Sequence, residues 1–341
     1  MKIYPKQRTA LPLAAAALFI LTAHLEAFAV PTWTAHKPNP SPPIRDGAQI
    51  AYDAATNRVI AFLPGNPAVP PNLSSEVWVL RHANGMGGTM FWTKLNPTGT
   101  APSLIMGGSV AYDPTTNKLI VYGGCYANCS PSQSQVFVLT NANGSGGTPA
   151  WSQLSVTNPQ DRVFHSTVYD AVNNLLISFG GQHAFFGTDE NDTRVLSNAN
   201  GAASPSTWST LATAGGPPPA RGSHTIVYDS ANNRLILYAG SNGISCCYNI
   251  VPFGDVWVLS NANGIGGTPT WSQLLPTGTP PPARDLHTAV YLPAKNKMYV
   301  FGGQTWSNAT QSATLRGERH RARRRDSAPD GRRVRHEPAR P

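Results

Sequence analysis

The sequence predicts an all-β fold: a β-propeller of four-stranded antiparallel blades, four complete and a fifth partial. Three observations predict it. First, tyrosines ending short β-branched runs recur at Tyr52, Tyr112, Tyr169, Tyr228 and Tyr291, spaced by 60, 57, 59 and 63 residues, a period of stacked supersecondary units. Second, a glycine-rich phrase is written four times, at Val79–Leu95, Val138–Leu154, Val195–Leu211 and Trp257–Leu274. Third, runs such as "LILY" and "VWVL" are apolar on successive residues, so both faces of each sheet must be covered. Four-stranded sheets stacked face to face around an axis meet that demand. The composition agrees: 341 residues, 13% charged, with 31 Gly and 31 Pro, suits short strands and turns better than long helices.

In chain order, residues 1–29 read as a signal peptide. Lys2, Lys6 and Arg8 form a basic head, Leu11–Leu25 an apolar run and Ala27-Phe28-Ala29 a cleavage site, which predicts a secreted or periplasmic protein with no membrane span after cleavage. The propeller is assigned to residues 30–310. "PTWT" at Pro31–Thr34 matches "PTWS" at Pro269–Ser272, so an N-terminal strand is expected to act as the fourth strand of a blade. Each unit then runs strand, Asx-type turn, strand, variable loop, strand, "NANGxGG" hairpin, strand. Asn57, Asn117, Asn174, Asn233 and Asn296 close the first turn, where a left-handed residue is needed, and Asp53, Asp113, Asp170 and Asp229 open it to accept backbone N–H groups. The fifth unit gives two strands and Gly302-Gly303, then changes character. Residues 311–341 carry ten Arg and no apolar periodicity, which reads as a disordered tail, and the abrupt switch is what a shifted reading frame produces. Of the formal charge of +9, the leader carries +2 and the tail +6, leaving the body near neutrality. No nucleic-acid footprint follows from such a body.

The Gly-Gly pairs (Gly123-Gly124, Gly180-Gly181, Gly302-Gly303), the strand-three aromatics (Trp78, Phe137, Trp257) and the strand-four tryptophans (Trp92, Trp151, Trp208, Trp271) resemble the kelch repeat. The resemblance covers Thr32 to Gly303 and implies a propeller of the kelch/galactose-oxidase type. Departures are Leu63-Pro64-Gly65, Ala239-Gly240, and Arg194 in place of the strand-three aromatic. A copper-oxidase site cannot be carried over onto these residues.

The loops between strands two and three hold Tyr126, His183, Phe185, Phe186, Tyr248, Phe253 and Trp306. Aromatics clustered on one end of a propeller suit stacking on sugars or anchoring a protein, so these residues are the candidate ligand-binding set. Cys125, Cys129, Cys246 and Cys247 are disulfide candidates in an exported chain. Three pairings are open, with the local Cys125–Cys129 bridge favoured. The recurring Arg-x-x-His pairs, Arg162/His165, Arg221/His224 and Arg284/His287, repeat in register and are read as structural. No catalytic residue, metal site or cofactor is assigned. The expected function is a secreted binding module for a protein or glycan. The alternatives are a carbohydrate-active enzyme and a truncated fragment without activity.

Overall fold

The computed structural model describes residues 38–65, 74–103, 106–125, 133–183, 187–242, 250–307 and 312–315. They are built of strands, with a single 3-10 turn at Pro293–Lys295. The first sheet is β1 (Gln49–Asp53), β2 (Arg58–Leu63), β3 (Glu76–Arg81) and β4 (Phe91–Lys94). The second is β5 (Met106–Asp113), β6 (Lys118–Cys125), β7 (Val136–Thr140) and β8 (Ala150–Gln153). The third is preceded by a short β9 (Val156–Thr157) and contains β10 (Ser166–Asp170), β11 (Leu175–Phe179), β12 (Thr193–Ser197) and β13 (Ser206–Thr210), with β9 added parallel to the outer edge of β13. The fourth comprises β14 (Thr225–Asp229), β15 (Arg234–Tyr238), β18 (Val256–Ser260) and β19 (Thr270–Leu274). A two-stranded ribbon, β16 (Ser241–Asn242) and β17 (Val251–Pro252), stands on its loop. The fifth holds β20 (Asp285–Leu292), β21 (Lys297–Ser307) and β22 (Ser312–Leu315).

Every four-stranded sheet is the expected antiparallel meander. Its first strands, β1, β5, β10, β14 and β20, pack side by side in that order, and so line the axis. The fifth sheet corrects one expectation. Residues 311–341 were assigned no strand, yet Ser312–Leu315 pairs antiparallel with the distal half of β21, Gln304 facing Leu315. β21 is long and offers an unpaired edge. A short uncharged Ser-Ala-Thr-Leu segment satisfies its backbone groups without needing apolar periodicity. The proposed N-terminal strand at Pro31–Thr34 lies outside the described residues.

The core is distributed between sheets. Along β6, Leu119, Ile120, Val121 and Tyr122 are all at most 1% exposed, although successive side chains point to opposite faces. Leu119 and Val121 meet Ile60, Phe62 and Val77 of the first sheet. Ile120 and Tyr122 meet Leu176, Leu196 and Trp208 of the third. A third cluster joins Ile177 and Phe179 to Leu235, Leu237 and Trp271. One aromatic pair recurs at each boundary: Phe62 with Trp151, Tyr122 with Trp208 and Phe179 with Trp271, with ring centroids 6.2, 4.7 and 5.1 Å apart.

The turns hold as the sequence implies. Asn57, Asn117, Asn174, Asn233 and Asn296 have φ between 46 and 53°. In the "NANG" hairpins the glycines share this role with the residue that opens the phrase: His82, Asn141, Asn198 and Asn261 also have positive φ.

Candidate functional site

The first strands enclose an axial cavity of about 810 Å³, lined mainly by small and polar residues such as Gly107, Ser109, Thr167, Ser223 and Thr225. At one end of it, five residues in register enter their strands with positive φ: Gly47 (69°), Gly107 (71°), Phe164 (57°), Ser223 (54°) and Leu286 (52°). This conformation lets each backbone reach the previous blade. Phe164 N–H donates to Gly107 C=O at 2.8 Å, Ser223 N–H to Phe164 C=O at 2.8 Å, and Leu286 N–H to Ser223 C=O at 3.0 Å. A left-handed Phe is strained, and this hydrogen-bonded chain around the rim is what holds it.

Behind the rim lie the histidines. His165 Nε2 is 2.7 Å from Ser109 Oγ of the preceding blade, and His287 Nε2 is 2.8 Å from Thr225 Oγ1. A hydroxyl paired with a histidine has the form of a nucleophile and base, and Ser109 was not singled out from sequence. The surroundings argue for structure instead. Ser109 and His165 are 6% and 5% exposed, and His165 Nδ1 has no orienting partner. Burial, aided by Arg162, pushes His165 down to about 3, too weak a base for work near neutrality. The pair also recurs two blades on, as Thr225 with His287. His287 is lowered to about 4 by burial and by Arg284, and His224 is held well below its ordinary value by burial first. His165 and His287 thus each bond a hydroxyl of the preceding blade, while the His224 ring packs edge-on against Phe179. No group of three or more metal-ligating side chains occurs among the described residues.

The same packing explains the Gly-Gly pairs. A methyl group at Gly123 would lie 2.5 Å from Arg162 O and 2.7 Å from His165 Cε1. At Gly180 it would lie 2.6 Å from Arg221 O.

The arginines of the Arg-x-x-His pairs reach toward the loops between strands two and three. Arg221 is fully buried. It grips Asp255 with two bonds of 2.6 and 2.9 Å, donates to Ala239 O at 3.0 Å, and lies 3.9 Å from the centroid of the Phe253 ring. Burial pushes the Asp255 carboxyl up, but bonds from Arg221 and Trp257 outweigh it and leave it below the usual range. In the third blade Arg162 bonds Asp192 at 2.8 Å and lies 2.8 Å from His183 Nε2. His183 Nδ1 is 2.9 Å from Asp161 Oδ1, and Glu190 stands 3.7 Å from Nε2. With side chains 40% and 36% exposed, His183 and Asp161 face solvent at the rim. Arg194, the departure from the aromatic pattern, places its guanidinium 5.9 Å over Trp208, so a cation–π contact replaces a ring.

Of the predicted ligand-binding residues, the structure places His183 in this charged cluster and Phe253 against Arg221. Trp306 lies on β21. Tyr126, Phe185, Phe186 and Tyr248 lie outside the described residues, as do Cys129, Cys246 and Cys247. Cys125 is disulfide-bonded. The charged cluster was missed from sequence because Asp161 and Glu190 are about thirty residues apart and belong to different loops. The acidic run at Thr188–Asp192 gives by itself no sign that Arg162 and His183 would meet it.

Four-stranded sheets that share one axis, with a glycine of one set against a histidine of the next at Gly123/His165 and Gly180/His224, define a kelch-type β-propeller. The model of the KLHDC2/KLHL20/DRC7 Kelch-repeats domain matches residues 54–265 and 170–315, and the chain belongs to this kelch-repeat family. It is 27% identical over 227 residues to the Rab9 effector protein with kelch motifs of Danio rerio, covering 63% of this chain and 58% of that protein. It is 37% identical over 100 residues to host cell factor 1 of Homo sapiens, covering 28% of this chain and 4% of that protein. The chain thus spans less than two thirds of these relatives. Among solved structures, a chain of the RAG complex with one melted and one unmelted RSS is similar at a TM-score of 0.46 and 14% identity, covering 72% of this chain and 71% of that one.

Proposed function

We propose that this chain is an exported kelch-repeat interaction module that binds a protein partner at the loop end of the propeller. The reading rests on one observation: His183 sits half-exposed between the carboxylates of Asp161 and Glu190, anchored by a buried Arg162. Such a cluster offers fixed hydrogen-bond acceptors on a rigid rim, which suits a basic or hydrogen-bonding segment of a partner. The name of one relative, Rab9 effector protein, supports a protein partner in preference to a glycan. Export is supported by the basic head and apolar run of residues 1–29. The test is cross-linking of the mature chain in the extracytoplasmic fraction of its host. Asp161→Asn with Glu190→Gln is expected to lower partner capture at least tenfold, while Met86→Lys, on a hairpin at the other end, leaves it unchanged. Equal capture by both variants would move the binding surface elsewhere. Turnover of a glycan by the purified chain would replace the interaction reading with an enzymatic one.

A further inference from the structure

Two boundaries join a histidine to a hydroxyl of the preceding blade, Ser109 with His165 and Thr225 with His287. The boundary between the third and fourth sheets carries the same residue types in the same register, Ser166 and His224, but not the bond. The Ser166 hydroxyl donates instead to the His224 carbonyl at 2.6 Å. His224 is 4% exposed, and neither ring nitrogen makes a hydrogen bond of good geometry among the described residues. Burial keeps the ring neutral, and the Phe179 carbonyl favours an N–H on one side of it. The other nitrogen then holds a lone pair with no donor, which is costly at a buried position.

His224, Ser166, Thr167 and Thr225 all line the axial cavity, whose volume of about 810 Å³ falls in the range of small-molecule sites. The protons of these hydroxyls are already committed. Ser166 donates to the His224 carbonyl, and Thr167 to Ser109 Oγ at 3.0 Å. The Tyr238 carbonyl favours the N–H of His287 on its far side, so Thr225 is the donor to His287 Nε2. What these groups turn to the cavity is therefore lone pairs. Charge is scarce there: among the described lining residues, Asp46 alone is ionised at neutral pH, and it is exposed.

We propose that the axial cavity binds a small uncharged molecule bearing several hydroxyl groups, one of which donates to the free nitrogen of His224 in the place that Ser109 and Thr225 hold at the sister boundaries. Hydroxyls supply the protons this wall lacks. An ammonium would supply them too, but would give up its water without gaining a carboxylate. An anion would bring only more lone pairs. The site is separate from the loop-end surface, since neither Asp161 nor Glu190 lines the cavity.

Nitrogen NMR of the mature chain carrying nitrogen-15 histidine tests this, with myo-inositol as the probe and His224→Phe to identify the signal. The expected result is a saturable upfield movement of the bare His224 nitrogen, while the Nε2 signals of His165 and His287 stay in place. His224→Phe is expected to weaken inositol binding by at least about tenfold. Should that variant fold poorly by circular dichroism, Ser166→Thr takes its place. It installs the residue type that bonds His287 one blade on, and is expected to move the His224 signal in the free chain and weaken inositol binding to a similar degree. No movement up to the solubility limit of inositol overturns the proposal. So does a His224 nitrogen already hydrogen-bonded in the free chain, which would mean that water or Ser166 itself fills the place. An equal response to 1,4-diaminobutane overturns the assignment to an uncharged ligand.

Discussion

Asn143 donates its side-chain amide to the Asp53 carboxylate at 2.7 Å, from the second sheet to the first. Both are nearly fully buried, at 3% and 2% exposure. The rung repeats as Asn200 to Asp113 at 2.9 Å and Asn263 to Asp170 at 2.7 Å. Each Asp also faces the tyrosine of the next blade. Burial first, and then Asp53, Asp113 and Asp170 in turn, raise the phenols of Tyr112, Tyr169 and Tyr228. At the fourth blade the series ends: Asp229 is bound at 2.6 Å by Arg234 of its own blade.

Asn143→Ala leaves one lone pair of a buried Asp53 unmatched, although the Thr56 hydroxyl and the Ala55 N–H still serve the carboxylate. The expected loss is about 1–3 kcal/mol, read from urea unfolding. Asn84→Ala, at the exposed equivalent in the first blade, should change stability by less than about 0.5 kcal/mol.

Gly123→Ala and Gly302→Ala share the same left-handed backbone, with φ of 65° and 72°. Only Gly123 is closed in by the next blade. Gly123→Ala should therefore destabilise by roughly 1–3 kcal/mol more than Gly302→Ala, which thermal melts of the two variants compare directly. Equal effects would mean that the conformational cost alone matters.

The buried histidines make stability fall with acid. His165 and His287 have folded values of about 3 and about 4, below the unfolded value of 6.5. Between those limits the unfolded chain binds more protons, so stability is full above about pH 6.5 and declines as the pH drops toward 4. The slope is about 1.4 kcal/mol per pH unit for each histidine held neutral. His287→Gln should reduce the slope measured between pH 6 and 4.5 by close to one such increment, a region above the titration of the hydrogen-bonded carboxylates.

Arg221→Ala would leave Asp255 charged beside an empty space and uncover the Phe253 ring. A loss of about 3–5 kcal/mol is expected, with part recovered in Arg221→Ala/Asp255→Ala. Arg221→Lys should recover little, because an ammonium cannot reproduce the two parallel bonds. Denaturant midpoints of the three variants rank these outcomes.

The repeat made most of the architecture legible. Tyrosine spacing placed the units, the Asn residues placed the turns, and apolar runs such as Leu119–Tyr122 required cover on both faces. Ser312–Leu315 was not legible, because its strand depends on the open edge of β21 and not on any pattern of its own. The site was less accessible still. His183 and Phe253 could be named as loop residues, but nothing local showed that one would meet Asp161, Glu190 and Arg162 and the other would lie under Arg221.

By itself, the sequence determined the repeating unit, its strand order and the residues that turn it, since these follow from short-range conformational preference and side-chain periodicity. Only the tertiary structure decided what each blade does to the next: Asn143 on Asp53, His165 on Ser109, and the carbonyl of Arg162 against Gly123. Those contacts join residues from about forty to ninety positions apart, and their geometry exists only once the sheets have stacked around a common axis.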